Sequence, residues 1–161
     1  MAIYVTSDVH GHVRALDEAL SKISLTSDDT LYVLGDMIDR GPDPVGVINL
    51  VRSLPNARVL KGNHEQIMLD AIIGQDPLDA ETWDINGGWT TRQQLNEMEF
   101  EAYEELVRWA AALPLYAVVE TAERPYLLVH AGIEMNAARA FLLEHGVDCA
   151  DGAGAVDADR E

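Results

Sequence analysis

The sequence is poor in cysteine and in long apolar runs, and each shortage excludes a class of protein. Among its 161 residues Cys149 is the single cysteine, so the chain cannot form an internal disulfide and nothing suggests an oxidising compartment. No apolar run approaches the roughly 20 residues that a membrane-spanning helix needs. The start, "MAIYVTSDVHG", lacks the basic segment of a secretion signal. We therefore expect a cytoplasmic protein without a membrane partner.

Positive charge is also scarce. The formal net charge is −17, and Lys22 and Lys61 are the only lysines. Because phosphate backbones are bound by positive surfaces, this balance argues against a nucleic-acid partner. If the protein handles a phosphate, something other than its bulk charge must attract the anion, and bound metal ions would do so. Nothing in the sequence indicates an oligomeric state.

The first half of the chain alternates short apolar segments with helical patterns. Hydrophobic residues make up 48% of the chain, which is enough for one domain with a proper core. Strands are predicted over residues 3–7, 31–35 and 57–62, with helices between and after them. This βαβαβ order implies parallel neighbouring strands joined by right-handed crossovers. We therefore predict an α/β fold.

The second half has a different pattern. The polar, turn-rich segment 74–88 is predicted to be a loop, and a helix containing Phe100 and Ala110 follows it. Two strands, over 115–120 and 126–132, precede a helix over 137–145 that ends at Gly146. The remaining residues, 147–161, have no periodicity and are predicted to be a disordered acidic tail, leaving a domain over 1–146.

Each of four predicted strands ends in a cluster of polar residues. The clusters are Asp8 and His10, then Asp36, Asp39 and Arg40, then Asn63 and His64, and finally His130. In an open α/β sheet the carboxyl ends of the strands lie side by side and form the ligand-binding crevice. The four clusters therefore predict a single site.

The residue types indicate what this site holds. Carboxylates, imidazoles and an amide without thiolates suit manganese, iron or zinc. Asp36 has two carboxylate oxygens and is able to bridge two ions, which together activate water and bind a phosphoryl group. Two divalent ions would also compensate the charge of Asp36.

The motifs "SDVHG", "GDMIDRG", "GNHE" and "VHAG" resemble the signature of the calcineurin-like metallophosphatases. With "DRG", "NHE" and the segment "INGGWTTRQQL" at 85–95, the chain is most similar to the bacterial and phage-type protein serine/threonine phosphatases. The resemblance covers residues 2 to about 135. It implies a β-sandwich core flanked by helices, two divalent ions with manganese favoured, and a phosphorylated protein or small phosphoester as substrate.

The resemblance also implies the metal ligands. Asp8, His10 and Asp36 would hold the first ion, with Asp36 bridging, and Asn63 and His130 would hold the second. The alternative for Asp8 and His10 is a surface turn that opens a helix.

Three residues would act on the substrate rather than on the ions. His64 would be the general acid that protonates the departing oxygen, and Asp39 would hold and polarise it. Arg40 would bind the phosphate with its planar guanidinium, together with Asn63. The alternative for Asp39 and Arg40 is a local salt bridge between them.

The chain departs from the family pattern in several places. Ser7 replaces a glycine, and Lys61 replaces an arginine. A later glycine-histidine motif, which supplies another ligand to the second ion, has no counterpart, nor does a second arginine. We therefore expect a C-terminally truncated domain that lacks later strands of the second sheet, exposes apolar edges and holds the second ion weakly.

Three functions remain open at this point. The favoured function is a protein serine/threonine phosphatase whose activity is impaired by the missing ligand. The alternatives are a dinucleoside polyphosphate hydrolase and an inactive truncated pseudo-phosphatase. Among other candidates, His12 is expected to be solvated and His145 to be structural, with metal ligation as its alternative. Trp83 and Trp89 are expected to pack in the core, the alternative being a roof over the cleft.

Overall fold

A computed structural model of the chain describes residues 2–74 and 76–144, in which strands and helices alternate. The elements are β1 (Ile3–Thr6), α1 (Val13–Ile23), β2 (Thr30–Val33), α2 (Pro44–Ser53), β3 (Ala57–Val59), α3 (Asn63–Ile73), α4 (Pro77–Ile85), α5 (Trp89–Asn96), α6 (Phe100–Ala111), β4 (Tyr116–Glu120), β5 (Pro125–Val129) and α7 (Met135–Glu144).

The first three strands form a parallel sheet in the order β1-β2-β3. Tyr4 pairs with Leu31 in its first ladder, and Val33 pairs with Val59 in its second. Helices α1 and α2 make the connections between consecutive strands. The predicted βαβαβ start is thus confirmed, and the carboxyl ends of β1, β2 and β3 meet at one edge of the sheet.

Strands β4 and β5 form a separate antiparallel sheet, in which Tyr116 pairs with Val129 and Glu120 with Pro125. The predicted α/β class is therefore confirmed. One detail of the prediction is wrong, because β5, which precedes His130, does not join the parallel sheet. His130 nevertheless reaches that sheet, since its Nδ1 lies 2.6 Å from the carbonyl oxygen of Leu34.

The core lies between β2 and the helices that flank the parallel sheet. Leu31 and Val33 of β2 are buried together with Val47, Ile48 and Val51 of α2. Helix α2 begins where the sequence predicts, because Asp43 accepts the N–H of Gly46 at 2.9 Å and Pro44 occupies the first turn. This core supports the loops that carry the polar clusters.

The prediction of a loop over 74–88 is wrong. Residues Pro77–Ile85 form α4, which begins because Asp76 accepts the N–H of Leu78 at 2.9 Å and Pro77 stands at a favoured first-turn position. The amphipathic pattern of this helix is weak, and the buried Trp83 attaches it to the core. Tertiary packing rather than local periodicity therefore stabilises α4.

Apolar side chains on three strands are exposed, as expected. They are Ile3 and Val5 of β1, Tyr116 of β4 and Tyr126 of β5. The predicted C-terminal helix corresponds to α7, whereas His145, Gly146 and the predicted tail over 147–161 lie outside the described residues. Within the described ranges, no helix combines the length and apolar character required to span a bilayer.

Candidate functional site

Most of the left-handed backbone among the described residues lies in the loops after β1 and β2. Six described non-glycine residues have positive φ, and five of them lie in these two loops. They are Asp8 (56°), His10 (44°), Asp36 (52°), Asp39 (68°) and Arg40 (66°). Such conformations cost free energy for L-residues and concentrate at functional sites.

The two loops are joined by backbone hydrogen bonds. His10 donates its N–H to the carbonyl of Asp36 at 2.9 Å, and Gly11 donates to that of Met37 at 2.8 Å. Their close approach requires glycine at position 41, because a Cβ there would lie 2.0 Å from the carbonyl oxygen of His10. The strained backbone is therefore held by contacts between the loops.

Two histidines direct the Nε2 atom of their rings into the site. His10 donates from Nδ1 to the carbonyl oxygen of Ile38 at 2.8 Å, and His130 donates from Nδ1 to that of Leu34 at 2.6 Å. These bonds assign the ring proton to Nδ1 in each neutral imidazole, so that Nε2 carries a lone pair. A ring fixed in this way is typical of a histidine that binds a metal ion.

Lone pairs converge around the buried Asp36. The Nε2 atom of His130 lies 2.9 Å from Oδ1 of Asn63 and 3.3 Å from Oδ1 of Asp36. On the other side of Asp36, Oδ2 lies 3.7 Å from Nε2 of His10. The facing acceptors of His130, Asn63 and Asp36 require a proton or a cation between them, whereas Nε2 of His10 receives a hydrogen bond from Arg40. These oxygen and nitrogen atoms are therefore suited to bind divalent metal ions.

Two groups of potential ligand atoms share Asp36. In each group the atoms lie within 4.8 Å of one another, and the groups are His10, Asp36 and His64, and Asp8, Asp36 and His130. The structure thus brings together all the residues predicted as metal ligands, with Asn63 included through its contact with His130, but it groups Asp8 with His130 and not with His10. It also places His64 near Asp36, at 3.9 Å between Nε2 and Oδ2, so proximity alone does not separate a ligand from a general acid.

Asp39 is fully buried and accepts hydrogen bonds from three side chains. Nδ1 of His64 lies 2.7 Å from Oδ2, and the hydroxyl of Thr91 lies 2.6 Å from Oδ1. The indole N–H of Trp83 contacts both carboxylate oxygens, at 3.1 and 3.2 Å. Helices α4 and α5 therefore supply groups that orient Asp39 toward His64.

Arg40 contacts imidazoles and not its acidic neighbour. Its two terminal nitrogens lie 2.9 Å from Nε2 of His10 and 2.8 Å from Nε2 of His64. The alternative of a salt bridge between Arg40 and Asp39 is wrong, because Asp39 is buried beneath His64 while Arg40 is exposed. The guanidinium thus lies at the solvent side of the site.

Sequence reasoning missed Glu65, a buried acid on the first turn of α3. Its carboxylate accepts the N–H groups of Asp36, Met37 and Gly62, each at 2.8 Å. Burial raises the pKa of Glu65, and the three backbone donors oppose this effect. Glu65 therefore connects the loop that carries Asp36 to the start of α3.

The remaining candidates lie outside the site or serve it indirectly. His12 is exposed at the start of α1, as expected. Trp83 packs in the core, as expected, but Trp89 is 61% exposed, and the packing prediction is wrong for it. Thr91 lies within the segment "INGGWTTRQQL", and Trp83 lies two residues before it. The similarity of this segment to a family segment was the only sequence signal that these residues hold Asp39.

Comparison with known proteins identifies related chains. The sequence model of the family described as calcineurin-like phosphoesterase matches residues 1–151. The symmetrical bis(5'-nucleosyl)-tetraphosphatase of Erwinia tasmaniensis is 31% identical over 136 residues, which cover 83% of this chain and 45% of that protein. That of Proteus mirabilis is 33% identical over 139 residues, with the same two coverages of 83% and 45%.

Solved structures show the same relationship. A metallophosphoesterase from Sphaerobacter thermophilus is 29% identical, with a TM-score of 0.52 over 73% of this chain and 42% of that one. A protein serine/threonine phosphatase from Saccharomyces cerevisiae is 20% identical, with a TM-score of 0.61 over 82% of this chain and 38% of that one. The second match shows a shared fold alone. The chain spans less than half the length of the curated relatives that it matches.

Proposed function

Because this chain belongs to the calcineurin-like phosphoesterase family, we propose that its site hydrolyses phosphorus–oxygen bonds and that its substrate is a dinucleoside polyphosphate. The main support for the proposed hydrolysis is the convergence of carboxylate, amide and imidazole acceptors around Asp36. The similarity to symmetrical bis(5'-nucleosyl)-tetraphosphatases supports this substrate over the phosphoprotein that the motifs alone favoured.

Asp36 would be shared between two divalent ions. Asp8 and His10 would complete the ligands of the first ion, and Asn63 and His130 those of the second. The ions would neutralise phosphoryl charge and supply an activated water, and the oxygen- and nitrogen-rich ligand set favours manganese, with iron or zinc as alternatives.

Arg40 and the start of α3 would bind the phosphoryl group. The guanidinium now donates to Nε2 of two imidazoles, at 2.9 and 2.8 Å, and an anionic oxygen is a stronger acceptor than an imidazole nitrogen. Asn63 stands at the N-terminus of α3, where the helix dipole favours an anion. Movement of Arg40 onto phosphate would release Nε2 of His64.

Released from Arg40, Nε2 of His64 would take up a proton from solvent, and the ring, paired at Nδ1 with Asp39, would then donate that proton to the departing oxygen. Its ring is held at Nδ1 by Asp39 at 2.7 Å, which directs Nε2 toward the site. Since a general acid works on the atom that leaves, its contribution depends on the basicity of that atom. This dependence distinguishes an alkoxide leaving group, as in phosphoserine, from a nucleoside diphosphate.

A protein phosphatase remains the second candidate, because the "DRG" motif follows the pattern of those enzymes. The direct test measures hydrolysis of diadenosine tetraphosphate, a phosphoserine peptide and an aryl phosphate, with manganese added and then chelated. We expect manganese-dependent conversion of the dinucleotide to ADP at a higher kcat/KM than for the peptide.

The matched control for this test is Asp28→Asn, which alters an exposed aspartate outside the site. Asp36→Asn should abolish turnover, whereas Asp28→Asn should leave it unchanged. Preference for the peptide would contradict the proposed substrate, and absence of turnover on all three compounds would favour the pseudo-phosphatase.

A further inference from the structure

A cavity of about 480 Å³ opens beside two of the proposed metal ligands. Asn63 and His130 line one part of it, and the remainder includes Lys61, Leu115, Tyr116 and Ile133. Its volume falls within the range of small-molecule sites, roughly 300–1,000 Å³. Because Asn63 and His130 line it, the cavity is continuous with the candidate active site. Its volume is large enough for part of a substrate.

Apolar side chains are unusually exposed around this cavity. Leu115 is 67% exposed, Tyr116 55% and Ile133 43%. The ring of Tyr116 packs edge-to-face against Phe141, with 5.9 Å between ring centroids, which supports the ring from one side. An aromatic ring held in this way is suited to stacking on a flat heterocycle.

Lys61 adds a positive charge without an acidic partner. Its Nζ donates to the carbonyl oxygen of Ala111 at 3.1 Å and to Oε1 of Gln66 at 3.4 Å. Among the described residues no carboxylate forms an ion pair with it, although the chain contains 28 acidic residues. A cation without an ion-pair partner is available to an external anion.

We propose that this cavity is the subsite for one nucleoside of the polyphosphate substrate. The base lies against Tyr116, between Leu115 and Ile133, and Lys61 faces the phosphates that connect the nucleoside to the reacting centre. This inference rests on the proposed function. A nucleoside diphosphate matches the cavity because it combines a flat aromatic base with several negative charges, whereas a phosphoserine side chain offers only the charge.

The test uses the whole chain loaded with manganese and two substrates that differ in their nucleosides. Tyr116→Ala should lower kcat/KM for diadenosine tetraphosphate by about 10- to 100-fold, the loss expected for one stacked base. Hydrolysis of inorganic tetraphosphate, which lacks nucleosides, should change less than about twofold on the same reasoning. Tyr116→Phe keeps the ring and should retain wild-type values.

The matched control is Tyr126→Ala, which removes an exposed tyrosine of the same hairpin that lines a different cavity. This variant should retain the wild-type ratio between the two substrates. Equal losses on both substrates in Tyr116→Ala, or the same pattern in Tyr126→Ala, would overturn the subsite.

ADP binding, measured by calorimetry, separates the subsite from the reaction. Weaker ADP binding in Tyr116→Ala supports the subsite even if the wild-type chain cleaves only the phosphopeptide, a result that would defeat the proposed function alone. Equal ADP affinity in the wild type and in Tyr116→Ala would overturn the subsite. If Tyr116→Ala does not fold, Ile133→Asp supplies the same decision, because it replaces the apolar surface against which the base packs with a charged group.

Discussion

The backbone N–H of Asp36 donates to the carboxylate of Glu65 at 2.8 Å. Asp36 has a left-handed backbone, with a φ of 52°, and its carboxylate belongs to both groups of potential metal ligands. Glu65 also accepts the N–H of Gly62, with which it forms half of a capping box at the start of α3. One buried carboxylate therefore fixes the two segments that place Asp36 and Asn63 opposite each other.

Replacement of Glu65 by glutamine should weaken metal binding. Glutamine has one acceptor oxygen in place of two, so its amide group faces a backbone N–H that Glu65 now satisfies. We expect a loss of about 1–3 kcal/mol in the free energy of unfolding, the cost of an unsatisfied buried donor. Manganese affinity, measured by calorimetric titration, should fall about 10- to 100-fold.

The control for this change is Glu104→Gln, at an exposed position on α6. Manganese affinity in Glu65→Gln equal to that of the control would show that Glu65 stabilises the fold without positioning Asp36.

The effect of His64→Asn should depend on the leaving group. An alkoxide needs a proton to depart, so hydrolysis of a phosphoserine peptide should slow by about 100- to 10,000-fold. A nucleoside diphosphate leaves as a weak base, with a phosphate pKa of about 6, and its release should slow by less than about 10-fold.

Single-turnover rates on the two substrates measure this difference, with His12→Asn as the control at an exposed histidine outside the site. Equal losses on both substrates would argue that His64 binds an ion or the phosphate and does not act as an acid.

The hydroxyl of Thr91 should matter although it touches no substrate. Thr91 donates to Asp39 at 2.6 Å and accepts the N–H of the same residue at 2.9 Å. Thr91→Val removes both bonds in a buried position and should cost about 1–3 kcal/mol of stability. It should also lower kcat, with KM nearly unchanged, because Asp39 then holds the ring of His64 less firmly.

The adjacent residue provides an unusually close control. Thr90 is also buried, but its hydroxyl has no hydrogen-bond partner among the described residues. Thr90→Val should therefore leave stability unchanged or raise it. Similar thermal unfolding and kinetics for the two variants would contradict the role of Thr91.

Asp29 should contribute stability that depends on pH. The hydroxyl of Thr26, followed by the backbone N–H groups of Ala2 and Thr26, holds the pKa of Asp29 below its ordinary value of 3.8. Below pH 3.8 the unfolded chain binds a proton at this position while the folded chain still resists it. The stabilisation is therefore present above pH 3.8 and lost as pH falls through the lower, folded pKa.

Asp29→Asn should consequently be less stable than the wild type at pH 7, and the difference should shrink as pH falls below 3.8. Denaturant unfolding measures this difference in stability from pH 7 down to pH 2.5, which is roughly one unit below the ordinary pKa of 3.8. Asp28→Asn, an exposed neighbour, is the control. A difference that stays constant with pH would contradict the account.

The parallel part of the fold was predictable because its signals are local. Short apolar runs separated by helical periodicity imply parallel strands, and parallel strands bring their carboxyl ends to one edge. Asp8, Asp36 and Asn63 could therefore be grouped from the sequence. Helix α4 was missed because its amphipathic pattern is weak, and Asp76 and Pro77 were interpreted as turn residues although they also begin a helix.

The partners of the polar side chains were harder to predict. Glu65 was overlooked because an acid at the third position of a helix is common at exposed helix starts. Trp83 and Thr91 are 44 and 52 residues from Asp39, and no periodicity connects them.

The sequence alone determined which chemical groups enter the site, since strand ends and turn glycines select the residues presented at one edge. Only the tertiary structure decided which of these groups bind one another. Asp39 is adjacent to Arg40 in the chain yet pairs with His64, because a hydrogen bond depends on direction as well as distance and the packed loops set that direction.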